Sequence, residues 1–170
     1  MASGPAGSRR GRTGQVPEPA GTRAALRPLA PLLLTGFGLG AFLDGIVLHQ
    51  VLQWHHLVVA RVPADDVAGL EANTLWDGVF HLVSWLVVVA GLVWTVRGRA
   101  ALRPVPWASL TGALLIGWGA FNITDQVVFH LLLEAHHIRM VEDYQVYDWG
   151  YTAIGALLVV GGLALARGGR

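Results

Sequence analysis

Apolar residues run almost unbroken through four stretches of the chain, near residues 29–57, 74–96, 107–137 and 148–166. Within each, Leu, Val, Ala and Trp follow one another without alternation, and each is far longer than a barrel strand, which predicts helix rather than strand. A hydrocarbon core of roughly 30 Å takes about 20 helical residues to cross, so all four are long enough to span a bilayer. The first and third exceed that length at their C-terminal ends, which are therefore expected to project past the hydrocarbon. Glycines recur inside the stretches, including Gly36 and Gly40 at a four-residue spacing. Within membranes such small residues let helix backbones approach closely, so they are read as packing contacts. The predicted fold is all-α, an integral membrane four-helix bundle.

The polar positions interrupting this pattern repeat. Asp44-x4-His49-x5-His55-His56 recurs as Asp125-x4-His130-x5-His136-His137, and each is announced by the same tripeptide, Gly40-Ala41-Phe42 and Gly119-Ala120-Phe121. Tyr147-Asp148 aligns with Trp76-Asp77, and Thr152 then falls where His81 would be. Helices one and two are thus expected to recur as three and four in the same orientation, around a pseudo-twofold axis along the membrane normal. The histidine missing at Thr152 predicts an asymmetric site, suited to one ion or haem rather than two equal ones.

Composition and charge place this pattern in lipid. Of 170 residues 54% are hydrophobic and only 14% charged, too little charge for a soluble domain. The chain has no lysine, and ten of its twelve arginines lie before the first stretch, between the second and third, or after the fourth. Only Arg61 and Arg139 occupy the other two loops, beside Asp65, Asp66, Glu71, Glu142 and Asp143. The positive-inside rule then puts both termini in the cytoplasm and the histidine-rich ends outside. Residues 1–28, rich in Gly, Pro, Ala, Ser and Arg, are expected to form a disordered basic cytoplasmic tail before a membrane domain over 29–170. The Arg9-Arg10 pair precedes an apolar segment carrying Asp44 and His49, which fits a retained span rather than a cleaved signal. Without cysteine there is no disulfide, thiolate ligand or thioether-linked haem, so a metal must be held by nitrogen and oxygen or by methionine, of which Met140 is the one near the pattern.

From Gly36-Phe37-Gly38-Leu39-Gly40-Ala41-Phe42-Leu43-Asp44 to Trp54-His55-His56, then through Leu75-Trp76-Asp77-Gly78-Val79-Phe80-His81 and Asp125-Gln126-Val127-Val128-Phe129-His130, the chain resembles the bacterial four-helix membrane proteins grouped as domain of unknown function 2243. The resemblance covers everything except the basic tail. It implies a four-span protein of the bacterial inner membrane, and it points toward respiratory-oxidase assembly and hence toward copper or haem.

The residues themselves define a site. At 100° per residue, His49, Gln53 and His56 fall within about 60° of one another on one helix, and His130, Glu134 and His137 on the other. Asp44 with His55, and Asp125 with His136, lie on a second arc more than about 100° away. At about 1.5 Å rise per residue, His49, His81 and His130 share one layer roughly 10–12 Å below the outer helix ends. The expected site is His49, His81 and His130 with Glu134 as fourth ligand, below a mouth of His55, His56, His136 and His137. Three imidazoles with an open or carboxylate position suit copper or zinc. Asp77 is placed to orient an imidazole, and Gln53, Asp148, Asp44 and Asp125 to support the site or relay protons. Haem b between facing histidines such as His49 and His130, and a proton- or ion-coupled transporter, are the alternatives. No catalytic triad, phosphate loop or nucleic-acid surface appears, so a binding role is favoured over an enzyme, with the lipid bilayer as the first partner. Substrate and oligomeric state are left open.

Overall fold

The computed structural model describes residues 27–168, so the tail expected over residues 1–28 lies almost wholly outside the described residues. Every element among the described residues is helical. A short 3-10 turn, Arg27–Leu29, leads into α1 (Ala30–Asp44), which continues as a π-helical extension over Gly45–Val51. Helix α2 covers Val67–Arg97, α3 is the single turn Arg99–Leu102, and α4 covers Trp107–Asp125 with its own π-helical extension over Gln126–Leu132. Helix α5, Tyr144–Gly168, completes the fold.

The helix bounds differ from the expected ones. The first and third end at Val51 and Leu132 rather than near 57 and 137, whereas the second begins at Val67, before the expected 74. Two features shorten the former pair. After each π-helical extension the backbone closes with wide turns: Leu52 N donates to Val47 O at 2.8 Å and Trp54 N to Leu48 O at 2.9 Å, matched by Leu133 N to Val128 O at 2.9 Å and Ala135 N to Phe129 O at 2.8 Å. Gln53 and Glu134 then take left-handed backbone conformations, φ 48° and 46°, which reverse the chain and end any helix. The second helix starts early because Asp66 caps it, its carboxylate accepting from Gly69 N at 2.7 Å.

Helix α1 packs against both α2 and α4, and α4 packs against both α1 and α5, so α1 and α4 form the centre and α2 and α5 the flanks. Close approach at the centre depends on two glycines: a Cβ on Gly36 would collide with the Leu114 carbonyl, and one on Gly117 with the Leu33 carbonyl. Three helices are long and apolar enough to cross a membrane, Ala30–Val51, Val67–Arg97 and Tyr144–Gly168. Helix α4, with Ser109, Asn122 and Asp125 buried against its neighbours, is not among them. The flanking helices turn Leu75, Leu82, Trp94, Leu157 and Val160 outward, an apolar surface suited to lipid rather than water.

Candidate metal centre

A π-helical turn bonds residue i to i+5 and so brings side chains five apart onto one face, where an α-helix would hold them about 140° apart. Asp44 and His49 are such a pair, and so are Asp125 and His130. His49 Nε2 lies 3.5 Å from Asp44 Oδ2 and His130 Nε2 3.2 Å from Asp125 Oδ2. The expected separation of the aspartates onto a second arc therefore fails: each aspartate shares a face with the histidine five residues later.

The chain reversal at Gln53 and Glu134 folds His55 and His136 back over the helix ends. His55 packs against His49 at 4.5 Å between ring centroids and His136 against His130 at 4.8 Å, while His55 and His136 stack on each other at 4.4 Å, nearly parallel. Four imidazoles from two halves of the chain thus form one cluster, each no more than 2% exposed. His55 and His136 were expected in a solvent mouth; instead they are interior groups. The two loops clasp each other through them: His55 Nδ1 donates to the Ile138 carbonyl at 2.9 Å and His136 Nδ1 to the Leu57 carbonyl at 3.0 Å.

Asp77 and Asp148 hold the remaining rings from the flanking helices. His49 Nδ1 donates to Asp77 Oδ1 at 2.8 Å and His56 Nδ1 to Asp77 Oδ2 at 2.7 Å, while Leu57 N also donates to Oδ1 at 2.9 Å. On the other side His137 Nδ1 donates to Asp148 Oδ2 at 2.8 Å and Ile138 N to Oδ1 at 2.9 Å, with His130 Nδ1 3.1 Å from Oδ1. The Asp77 carboxylate accepts from His49 and His56, whereas His81 meets only its backbone carbonyl. His56 and His137 remain at the rim, part-buried.

These contacts fix the chemistry of the cluster. Carbonyls only accept, so His55 and His136, whose Nδ1 atoms face them, carry their protons there and present lone pairs at Nε2, whereas His49 and His130 face carboxylates through both ring nitrogens. The Nε2 atoms of His49, His55, His130 and His136 are all buried and have no hydrogen-bond partner. A buried polar atom left unmatched is costly, roughly 1–3 kcal/mol; those of His49 and His130 have carboxylate oxygens at 3.5 and 3.2 Å, whereas those of His55 and His136 have none. Burial pushes His136 down to about 3 and holds His55 well below the ordinary histidine range. Both loop histidines are therefore neutral at pH 7, the state in which imidazole binds metal.

Two ligand sets emerge whose donor atoms lie within 4.8 Å of one another, Asp44-His49-His55 and Asp125-His130-His136. A third set, His130-His137-Asp148, overlaps the second. Of the expected group His49, His81, His130 and Glu134, the structure brings His49 and His130 to the cluster, in adjacent sets, and leaves the other two out. His81 Nδ1 donates to the carbonyl of Asp77 at 2.7 Å, its ring lying against Phe42 and beside Gly45. Glu134 is exposed at the chain reversal, as is Gln53 at the equivalent turn.

The asymmetry at Thr152 has a local account. Thr152 Oγ1 donates to the carbonyl of Asp148 at 2.8 Å, as His81 does to that of Asp77. A Cβ on Gly45 would meet His81 Nε2 at 2.7 Å, so that ring needs a glycine opposite it. Where the small Thr152 replaces His81, the position equivalent to Gly45 holds Gln126, which is buried with Oε1 unpartnered. The polar group is carried by α2 in one half and by the extension of α4 in the other. Gln126 escaped sequence reasoning, although the exchange of Gly45 with His81 for Gln126 with Thr152 is legible once both halves are aligned.

No curated protein and no solved structure matches the chain. Residues 31–169 match the family described as "Predicted membrane protein (DUF2243)", and the chain belongs to that family.

Proposed function

We propose that the protein holds two transition-metal ions, one in each Asp-His-His set, in a buried centre near the outer face of the membrane. The observation that carries this reading is the convergence of four buried imidazoles and two buried aspartates into two compact donor sets. Two imidazoles and one carboxylate with open positions are the donors of a divalent first-row ion, zinc, iron(II) or copper(II). Copper(I), which prefers sulfur, finds only the rim residue Met140 nearby. Asp77 and Asp148 raise the basicity of the rings and fix their orientation, as carboxylates behind metal-bound imidazoles do.

With α4 read as a fourth span shielded by its neighbours and both termini cytoplasmic, the centre lies on the side opposite most of the arginines. Its two halves are then tandem repeats in the same orientation, a reading supported by the paired hydrogen bonds. A polar cavity of about 620 Å³, lined by Glu134, His137, Met140 and Gln145, reaches His130 from one side and gives an ion a path in. Handling of such an ion for a respiratory oxidase is the use that fits the family resemblance. Haem is disfavoured, because imidazoles packed with ring centroids 4.4 to 4.8 Å apart leave no slot for a porphyrin between them.

The experiment is the absorption spectrum of detergent-purified protein together with zinc binding by His49→Ala, His55→Ala, His130→Ala and His136→Ala. Each variant is expected to bind at least about tenfold more weakly while staying inserted and folded. A Soret band, or undiminished binding in all four, would overturn the reading.

A further inference from the structure

A second cavity, of about 450 Å³, lies against the first ligand set but opens in another direction. Its walls come from α1, α4 and α5 and are apolar or aromatic, with Leu43, Val47, Trp118, Tyr147 and Ile154 among them. Leu43, Val47 and Ile154 lie within apolar membrane-spanning helices and are exposed, so the groove opens sideways toward lipid. Polar side chains among the lining include Asp44, Tyr151 and Asn122. Asp44 divides its oxygens: Oδ2 faces His49, while Oδ1 accepts from the Tyr151 hydroxyl at 3.2 Å. Asn122 is 2% exposed, and its side-chain oxygen has no partner.

The other half of the molecule supplies an internal control. In the equivalent place beside Asp125 the cavity is only about 200 Å³, and Phe37, Phe80, Phe121 and Phe129 line it. By register these four correspond to Trp118, Tyr151, Gly40 and Leu48. One groove is packed with phenyl rings, whereas the other is widened by Gly40 and given a hydroxyl by Tyr151. The repeats thus share the aspartate and differ in whether anything from the membrane can reach it.

The chemistry of the open groove selects its occupant. Asp44 accepts, so the ligand head must donate a hydrogen bond to it; the Asp44 carboxylate also disfavours an anionic head such as a phosphate. Aromatic walls suit a planar ring, and the lipid-facing opening suits a hydrocarbon tail. We propose that this groove binds an alkylated hydroquinone dissolved in the bilayer, a hydroxyl directed at Asp44. The proposal goes beyond the metal reading and does not rest on it.

The test is isothermal titration of the detergent-purified full chain with decyl-benzohydroquinone, with decyl-benzoquinone and dodecanol in parallel. Gly150 lines the groove and a Cβ there meets nothing within 4 Å, so Gly150→Leu fills the groove without a clash. Saturable one-to-one binding of the hydroquinone is expected, at least about tenfold weaker for the quinone, for dodecanol and for Gly150→Leu. Equal binding of the quinone or the alcohol, no saturable binding, or no effect of Gly150→Leu would overturn the proposal. Metal content measured on the same samples keeps the two readings separate: Gly150→Leu is expected to retain its metal, and metal-free protein that still binds hydroquinone would remove the metal reading alone.

Discussion

Gln53 and Glu134 shape the cluster without donating to it. A non-glycine residue in the left-handed region costs about 1–2 kcal/mol, and what that strain secures here is the reversal that returns His55 over His49 and His136 over His130. Glycine relieves the strain but adds chain entropy, so Gln53→Gly and Glu134→Gly are expected to change stability by less than about 1 kcal/mol. Valine at either position is expected to lower the melting temperature by several degrees and weaken zinc binding, checked by thermal unfolding in detergent alongside metal analysis. His81 makes the complementary case. Its Nδ1 is engaged by a backbone carbonyl and it belongs to none of the ligand sets, so His81→Ala is expected to keep its metal where His49→Ala loses it. Loss of metal in both would return His81 to the centre.

At the scale of elements, the crossing of α1 and α4 sets the distance between the two ligand sets. Gly36 and Gly117 stand against opposing backbone carbonyls, so Gly36→Leu or Gly117→Leu must force the helices apart. Either is expected to leave little folded protein on size-exclusion chromatography after mild heating, whereas Gly161→Leu, which meets nothing, leaves the profile unchanged. Helix type, and the presence of long apolar segments, were legible in the sequence because unbroken Leu, Val and Ala has no other stable state in lipid. Where the helices stop was not. A wheel of 100° per residue assumes one periodicity throughout, and it carried Gln53 and Glu134 onto the ligand face while sending Asp44 and Asp125 away from it. The π-helical turns reverse that assignment. Their signature was present as an aspartate and a histidine five residues apart, written twice, a spacing that makes sense only if the helix widens at that point.

For the whole molecule, an almost symmetric centre sits in unlike surroundings. Each half supplies an aspartate, two clustered histidines, a rim histidine and an orienting aspartate, yet one side meets a polar cavity and the other a lipid-facing groove. Arg61 and Arg139, the two arginines outside the main basic groups, are used structurally: Arg61 donates to the Leu133 carbonyl, and Arg139 donates to the Tyr147 hydroxyl at 2.7 Å and lies over Trp54. Their engagement in the clasp is consistent with a positive-inside orientation in which they face outward. With no native cysteine to interfere, exposed Asp65→Cys is expected to react with a membrane-impermeant maleimide in intact cells, and Arg99→Cys only after lysis. The opposite pattern would turn the molecule over and place the centre at the cytoplasmic face. The most direct test of the paired centre is the metal content of the detergent-purified chain, prepared without chelators and measured by elemental mass spectrometry. Two first-row transition-metal ions per chain are expected; one ion or none would contradict it.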